Sequence, residues 1–489
     1  MSGSAPQRRP AGAMSTEYRA LTLGILAIIT CSAFEAMAVT TAMPVVAAEL
    51  SAGAGYGLAF SMFLTASLLG TVAAGSRCDR EGPLPSLAAG LALMTAGLVL
   101  SALAGEFWIV TAGRAVSGLG GGAMIVAVYV IIGEIYPSAL QPVIFGWLAA
   151  AWILPSMVGP LAAGLLAQYV SWRWVFAAVI PIVLVAGLMI WPRIRSLGPP
   201  ANPALDAAAG RRRTVWGTVL ALAVFIAQWA GSAAAASPSA ASPSTGAAST
   251  GVPSSAAVLL WAAAAAGAVA AGAALVRLLP PGTLRLARGL PSVVATRGLL
   301  SAGFVAAEAF LPLMVLATHG VDPATAGLAL TAGAVGWAVG SFLQARAGGR
   351  RHRLLVIGAT MLAAAVGGIG LLASPSVPFW VIVAVWSFAG AAMGLALSST
   401  SVMVLALSTS ADRGRNSASL QISDQVGAVA GTTVAGILFA LLQDPAVSGQ
   451  TGVFRVMWLV LAVFACLGIV SGARSAIVTP NTGKVPFTA

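Results

Sequence analysis

The chain has 489 residues, of which 59% are hydrophobic and 8% charged, and its net charge is +12. Soluble domains carry about 25% charged residues, so this composition cannot clothe a water-soluble surface. The positive charge does not gather on one patch but punctuates the gaps between apolar blocks, which argues against nucleic-acid binding.

Residues 1–19 form a polar, basic segment without a signal-peptide pattern and are expected to be a cytoplasmic tail. Fourteen apolar segments follow, at roughly 20–48, 56–75, 85–104, 108–133, 143–169, 174–192, 214–235, 256–279, 295–317, 324–345, 354–374, 378–407, 420–443 and 453–473. Each is long enough for a membrane-spanning helix, which needs about 20 residues. None has the short alternating pattern of an outer-membrane barrel strand. The expected fold is therefore an all-α polytopic membrane protein with fourteen spans. The segments group as six, two and six. A first bundle covers 20–192 and a loop covers 193–213. Two extra spans cover 214–279, with a Ser/Pro-rich outer connection at 236–255. A second six-helix bundle covers 295–473, and 474–489 is a second cytoplasmic tail.

Arg and Lys positions set the expected orientation. With the N-terminus placed in the cytoplasm, 22 of the 25 fall on the inner side, Arg173 and Arg455 fall outside, and Arg114 falls within a span. One miscounted helix would invert the bias downstream of the error. Both termini are thus expected to be cytoplasmic, in the inner (plasma) membrane.

The pattern carries little else in the way of chemistry. Cys31, Cys78 and Cys466 suggest no disulfide framework. His319 and His352 lie between apolar segments without metal-ligand spacing, and no metal site is expected. There is no phosphate-binding loop, so ATP is not the expected energy source. No cofactor is expected.

Ionisable groups inside spans are costly, which makes each a functional candidate. Glu35 lies about 15 residues into the first span, roughly 22 Å deep. Ser32 is one turn before it on the same face. Glu308 lies at a similar depth in the ninth span, the first helix of the second six. Arg114 lies about one and a half turns into the fourth span, sharing a face with Ser117. Repeated halves place their first helices at a central cavity. A carboxylate in a partly dry cavity can bind and release a proton, or pair with a cation. The alternative for Glu35 and Glu308 is a hydrogen bond that fixes helix packing alone, and for Arg114 a helix–helix tie. Gln421, Asp424 and Gln425 share a face at the start of the thirteenth span, as a gate or as residues favoured by the helix dipole.

Several strings together resemble one family. The loop after the second span, Gly75 to Gly82 with Asp79 and Arg80, is similar to the signature G-x-x-x-D-R-x-G. Pro83 and Leu84 stand where a basic pair usually follows. Arg114 to Gly118 is similar to R-x-x-Q-G, with Ser117 in place of Gln. The run holding Pro155, Gly159, Pro160 and Gly164 resembles the antiporter motif G-x-x-x-G-P-x-x-G-G. Glu35 stands nine residues before Pro44, where the family has an Asp, and Trp172 to Phe176 is close to W-R-W-I-F. The chain thus resembles the 14-helix drug:proton antiporters of the major facilitator superfamily over almost its whole length. The resemblance implies a multidrug efflux transporter and a role in antibiotic resistance. Its energy source would be the proton gradient. Glu35, Glu308 and Arg114 would couple protons, and Asp79 would latch onto the thirteenth span. Gly159 and Pro160 would bend the fifth span and seal it against leak. The expected partners are an amphipathic small molecule or lipid as substrate and the surrounding membrane lipids, with the protein itself a monomer. A dedicated exporter of a lipid or secondary metabolite fits the apolar interior equally well.

Overall fold

The computed structural model describes residues 14–52, 55–137, 140–195, 207–235, 255–346, 351–409, 412–442 and 451–476. Helices follow one another as α1 (Arg19–Glu49), α2 (Tyr56–Glu81), α3 (Pro83–Ala102), α4 (Phe107–Ile135) and α5 (Gln141–Tyr169). The sixth span is divided at Ala178 into α6 (Arg173–Ala177) and α7 (Val179–Ile194). The extra pair is α8 (Ala207–Ala235) and α9 (Ser255–Leu278). The second six are α10 (Leu290–His319), α11 (Pro323–Arg346), α12 (Arg351–Leu372), α13 (Phe379–Ala406), α14 (Arg413–Leu442) and α15 (Thr451–Arg474). Among the described residues, 14 helical segments are long and apolar enough to span a membrane, with α6 and α7 counted as one. The protein is a multi-pass membrane protein of the expected all-α class.

Four boundaries differ by five residues or more from the sequence reading. α2 runs on to Glu81, past the expected 75, α8 begins at Ala207, upstream of 214, α10 begins at Leu290, upstream of 295, and α14 begins at Arg413, upstream of 420. The stretches added to α2, α8 and α14 carry Arg, which hydropathy reads as loop but a helix end tolerates well. Residues 236–254, most of the Ser/Pro-rich connection, lie outside the described residues.

Local chemistry explains the turns. Gly82 adopts φ 81°, a left-handed conformation open to glycine, and Pro83 then opens α3. Asp322 caps α11, its carboxylate accepting from the Thr325 N–H at 2.9 Å and from the Thr325 hydroxyl at 2.9 Å. Those bonds, the backbone one foremost, hold the Asp322 carboxyl below the usual carboxylate range.

The two halves repeat one packing device. The second and fourth spans of each half cross where glycines replace side chains, Gly70 and Gly122 for α2 and α4, Gly340 and Gly394 for α11 and α13. A Cβ at any of the four would overlap a backbone carbonyl of the partner helix. Leu188, Leu259, Val269 and Leu371 stand exposed on the outer wall, as lipid-facing side chains do. The pair α8 and α9 packs against α2 and α14. Thr65 on α2 donates to Gln228 on α8 at 3.3 Å, and Ser419 on α14 donates to the Leu278 carbonyl on α9 at 3.0 Å.

The halves meet at the Arg-poor end. A Cβ on Gly57 would stand 2.5 Å from the Cα of Gly436, and one on Gly164 would stand 2.6 Å from the Pro323 carbonyl oxygen. One on Gly327 would stand 2.5 Å from the carbonyl oxygen of Pro160. The Tyr56 hydroxyl donates to the Ala309 carbonyl at 3.1 Å, and its ring lies 5.1 Å from Phe310 and 6.2 Å from Phe439. At the Arg-rich end of the same helix, open space surrounds Gly75. The structure is therefore closed at the Arg-poor end.

Candidate functional site

α1, α2 and α4 bring together a buried charged cluster in the first half. Arg114 Nη1 donates to Glu35 Oε1 at 3.0 Å, and the Ser117 hydroxyl donates to the same oxygen at 2.7 Å. Arg114 Nε reaches the Ala59 carbonyl at 3.5 Å, and the guanidinium lies 4.2 Å from the centre of the Phe63 ring. Glu35 is 1% exposed and Arg114 2%. The second carboxylate oxygen, Oε2, has no hydrogen-bond partner among the described residues. A charged pair this deep is costly to form and more costly to break, since removing one partner strands the other. Ser117 occupies the position of the family's Gln and still serves the carboxylate. Ser32 does not join the cluster, because its hydroxyl donates back to the Ile28 carbonyl at 3.0 Å.

Glu308 is placed differently. It is half-buried on α10, and no hydrogen bond or ion pair to it is seen among the described residues. It adjoins Ala309, whose carbonyl accepts the Tyr56 hydroxyl in the seal at the Arg-poor end. The two glutamates also differ in register. Glu35 precedes Pro44 by nine residues, and Glu308 precedes Pro312 by four. That offset of five residues is about 7.5 Å along a helix.

A second charged cluster lies nearer the Arg-rich end. Arg297 Nη2 pairs with Asp424 Oδ2 at 2.9 Å, while Nη1 donates to the Leu397 carbonyl at 3.2 Å, to Thr400 at 3.3 Å and to Ser401 at 3.2 Å. The Ser301 hydroxyl donates to Asp424 Oδ1. Of the three candidate gate residues, only Asp424 makes such contacts. Gln425 is half-buried and Gln421 exposed. The topology count took Arg297 as an inner-side cation, although it lies within the expected ninth span 295–317, and that position beside Ser301 and Glu308 was the detectable signal.

The remaining candidates fall at the two ends. Arg80 Nε donates to the Ser76 carbonyl of its own helix at 3.1 Å, and Arg77 pairs with Glu81 at 2.8 Å. The Asp79 side chain lies outside the described residues. Pro155 and Pro160 are inside α5. Gly159 faces the Phe34 ring of α1 at ordinary contact distance, and Pro160 and Gly164 seat α5 on α11. Trp172 Nε1 donates to Glu49 at 2.8 Å, and Arg173 pairs with the same carboxylate at 2.8 Å, so this string ties the end of α1. Among the described residues, no three His, Cys, Asp or Glu side chains come together as a metal site.

A bacterial homologue of the human lysosomal transporter Spinster, solved inward-facing and occupied, superposes with a TM-score of 0.63 at 14% identity, covering 94% of this chain and 97% of that one. The peptide-family transporter PepTSo gives a TM-score of 0.63 at 15% identity, covering 93% and 97%. At these identities the likeness concerns the fold alone. In sequence, a probable multidrug-efflux transporter of Mycobacterium tuberculosis is 23% identical over 88% of this chain and 89% of its own length. Efflux pump dotC of Dothistroma septosporum is 27% identical over 41% of this chain, a match that spans only 34% of the pump's length. The family model of the Major Facilitator Superfamily matches residues 25–308 and 298–487. The chain belongs to the Major Facilitator Superfamily.

Proposed function

We propose that the protein is a proton-coupled antiporter that exports amphipathic small molecules by rocking its two halves about a central cavity. The observation that carries this reading is Glu35, buried in the membrane interior, paired through Oε1 and unpartnered at Oε2. A proton arriving at Oε2 cancels the carboxylate charge and loosens its hold on Arg114. Arg114 then retains only the Ala59 carbonyl and the Phe63 ring, so α1, α2 and α4 repack together. Neutralising a buried charge in this way biases a two-state element, which is what coupling requires.

The Arg-rich face is taken as cytoplasmic, in the plasma membrane, with both termini on that side. On that reading the structure is inward-facing. The cavity then receives substrate from the cytoplasm or inner leaflet. Glu308, half-buried and unpaired, is the acid best placed to meet a cationic group or a second proton. The energy source is the proton gradient, without a bound cofactor, and the transporter acts as a monomer. Relatives named as multidrug efflux pumps support a broad substrate range. One relative is named as a transporter of an acurin A biosynthesis cluster, which favours export of a dedicated secondary metabolite as the second reading.

The test is efflux of a lipophilic cationic dye from inverted membrane vesicles. Collapsing the pH gradient with nigericin is expected to stop it. Dye transport that continues without a gradient would overturn proton coupling. Transport of no dye or antibiotic, but of a single metabolite, would select the second reading.

A further inference from the structure

We propose that a lateral pocket between α9, the 279–289 connection, α10, α14 and α15 binds one anionic phospholipid of the Arg-rich leaflet. The site consists of two neighbouring cavities of opposite character. The inner part, about 290 Å³, is lined by Leu275, Leu279, Leu284, Leu299, Val426 and Phe464, among other apolar side chains. The outer part, about 510 Å³, is walled by Arg288 and Arg474 with Ile469, Val470 and Ala473. Leu286 joins them: it lines the inner part, and its carbonyl accepts from Arg474 Nη1 at 3.4 Å.

The connection is built to hold this shape. Leu286 has φ 52°, a left-handed conformation uncommon for a side chain of its size, between Gly282 at 86° and Gly289 at 84°. Such strain persists only where surrounding contacts hold it, and it concentrates at ligand clamps. Here the contacts are the Ser292 hydroxyl, donating to the carbonyls of Leu286 and Ala287 at 3.1 and 2.7 Å, and the Gly289 N–H, donating to the Arg474 carbonyl at 3.1 Å.

Charge selects the occupant. The described ion pairs give Arg285, Arg288 and Arg474 no carboxylate, and no acid occurs in the sequence between Arg277 and Arg297. The nearest acid on the neighbouring α14, Asp424, is already committed to Arg297. A phosphate at Arg288 and Arg474 would supply the missing anion, and its acyl chain would fill the Leu- and Phe-lined part. Basic pockets between spans on one leaflet recognise lipid headgroups in this way. The site lies outside the Glu35 and Glu308 region and does not depend on proton coupling. It would also give α9, which belongs to neither six-helix half, a role in fastening the extra pair to the second half.

The full-length protein would be purified with a mixture of phosphatidylglycerol and phosphatidylcholine and weighed by native mass spectrometry. One phosphatidylglycerol per chain is expected to remain. Arg288→Ala/Arg474→Ala is expected to weaken its retention roughly 30-fold, while Arg211→Ala/Arg212→Ala, with the same loss of charge on the same face, leaves it unchanged. If the first variant does not fold, Ala295→Phe fills the apolar part with both arginines intact, and retention is expected to fall. Equal retention in that variant would overturn the site, as would equal loss in the control or equal retention of phosphatidylcholine. Full displacement by inorganic phosphate would reduce it to an anion site without a lipid.

Discussion

Valine at Gly57 and Gly164 should drive the protein out of the conformation described here. A Cβ at Gly57 would stand 2.5 Å from a backbone Cα, and one at Gly164 would stand 2.6 Å from a backbone oxygen. Carbon contacts are comfortable at about 3.5–4.0 Å, so each clash amounts to roughly 1 Å against atoms that cannot rotate away. Overpacking of that kind costs about 1–3 kcal/mol per site. Both contacts lie between the halves rather than within either one. A state with this end open escapes the cost, and each half keeps its own core. The closed population should therefore fall by roughly 5- to 150-fold per substitution. Spin labels at positions 169 and 322, flanking the contact in which the Ala324 N–H donates to Gln168 Oε1 at 3.4 Å, would report the change by pulsed electron resonance. A longer distance is expected in the two valine variants, and an unchanged one in Gly452→Val, where open space surrounds the glycine. An unchanged distance in Gly57→Val and Gly164→Val would refute the reasoning that this end is a two-state seal.

Three further outcomes follow from the packing. Arg114→Met should destabilise by about 3–5 kcal/mol in a thermal or denaturant assay, and adding Glu35→Gln should recover most of it, because a stranded buried charge is worse than none; strictly additive effects would contradict the pair. Gln228 is 1% exposed and its Nε2 has no hydrogen-bond partner among the described residues. Gln228→Leu with Thr65→Val should therefore be neutral or stabilising, and a large loss of stability would show that the polar tie matters. Asp322 has a lowered proton affinity in the folded protein, so its cap is present at neutral pH and lost as pH falls below the ordinary carboxylate range. Hydrogen exchange in the first turn of α11, corrected for intrinsic rates, should rise on that acidification, whereas in Asp322→Ala it should already be raised at neutral pH.

The span count was legible because lipid demands it: each helix must be apolar for about 20 residues, and hydropathy reports that directly. Helix ends were less legible, since the arginines at the end of α2 and the starts of α8 and α14 look like loop residues yet sit comfortably on interfacial helix turns. Glu35, Arg114 and Ser117 could be named because a charge in a span is rare, but their meeting is a tertiary fact that no spacing encodes. Arg297 with Asp424 shows the limit, as a cation near a span boundary reads as topology rather than as a partner. Glu308 shows another, because equal depth from the helix start concealed a five-residue offset from the helix proline. The aromatic closure by Tyr56, Phe310 and Phe439 left no signal at all, since aromatic residues in apolar spans are ordinary.

The central claim is that Glu35 carries the coupling proton, and the most direct measurement is lumenal pH in proteoliposomes under an imposed gradient. Lipophilic cations and neutral antibiotics would be added to wild-type protein, Glu35→Gln and Glu308→Gln. Substrate-triggered proton flux is expected in the wild type and should disappear in Glu35→Gln, while that variant still binds substrate. Full proton flux in Glu35→Gln would contradict that claim and remove the buried pair from the mechanism.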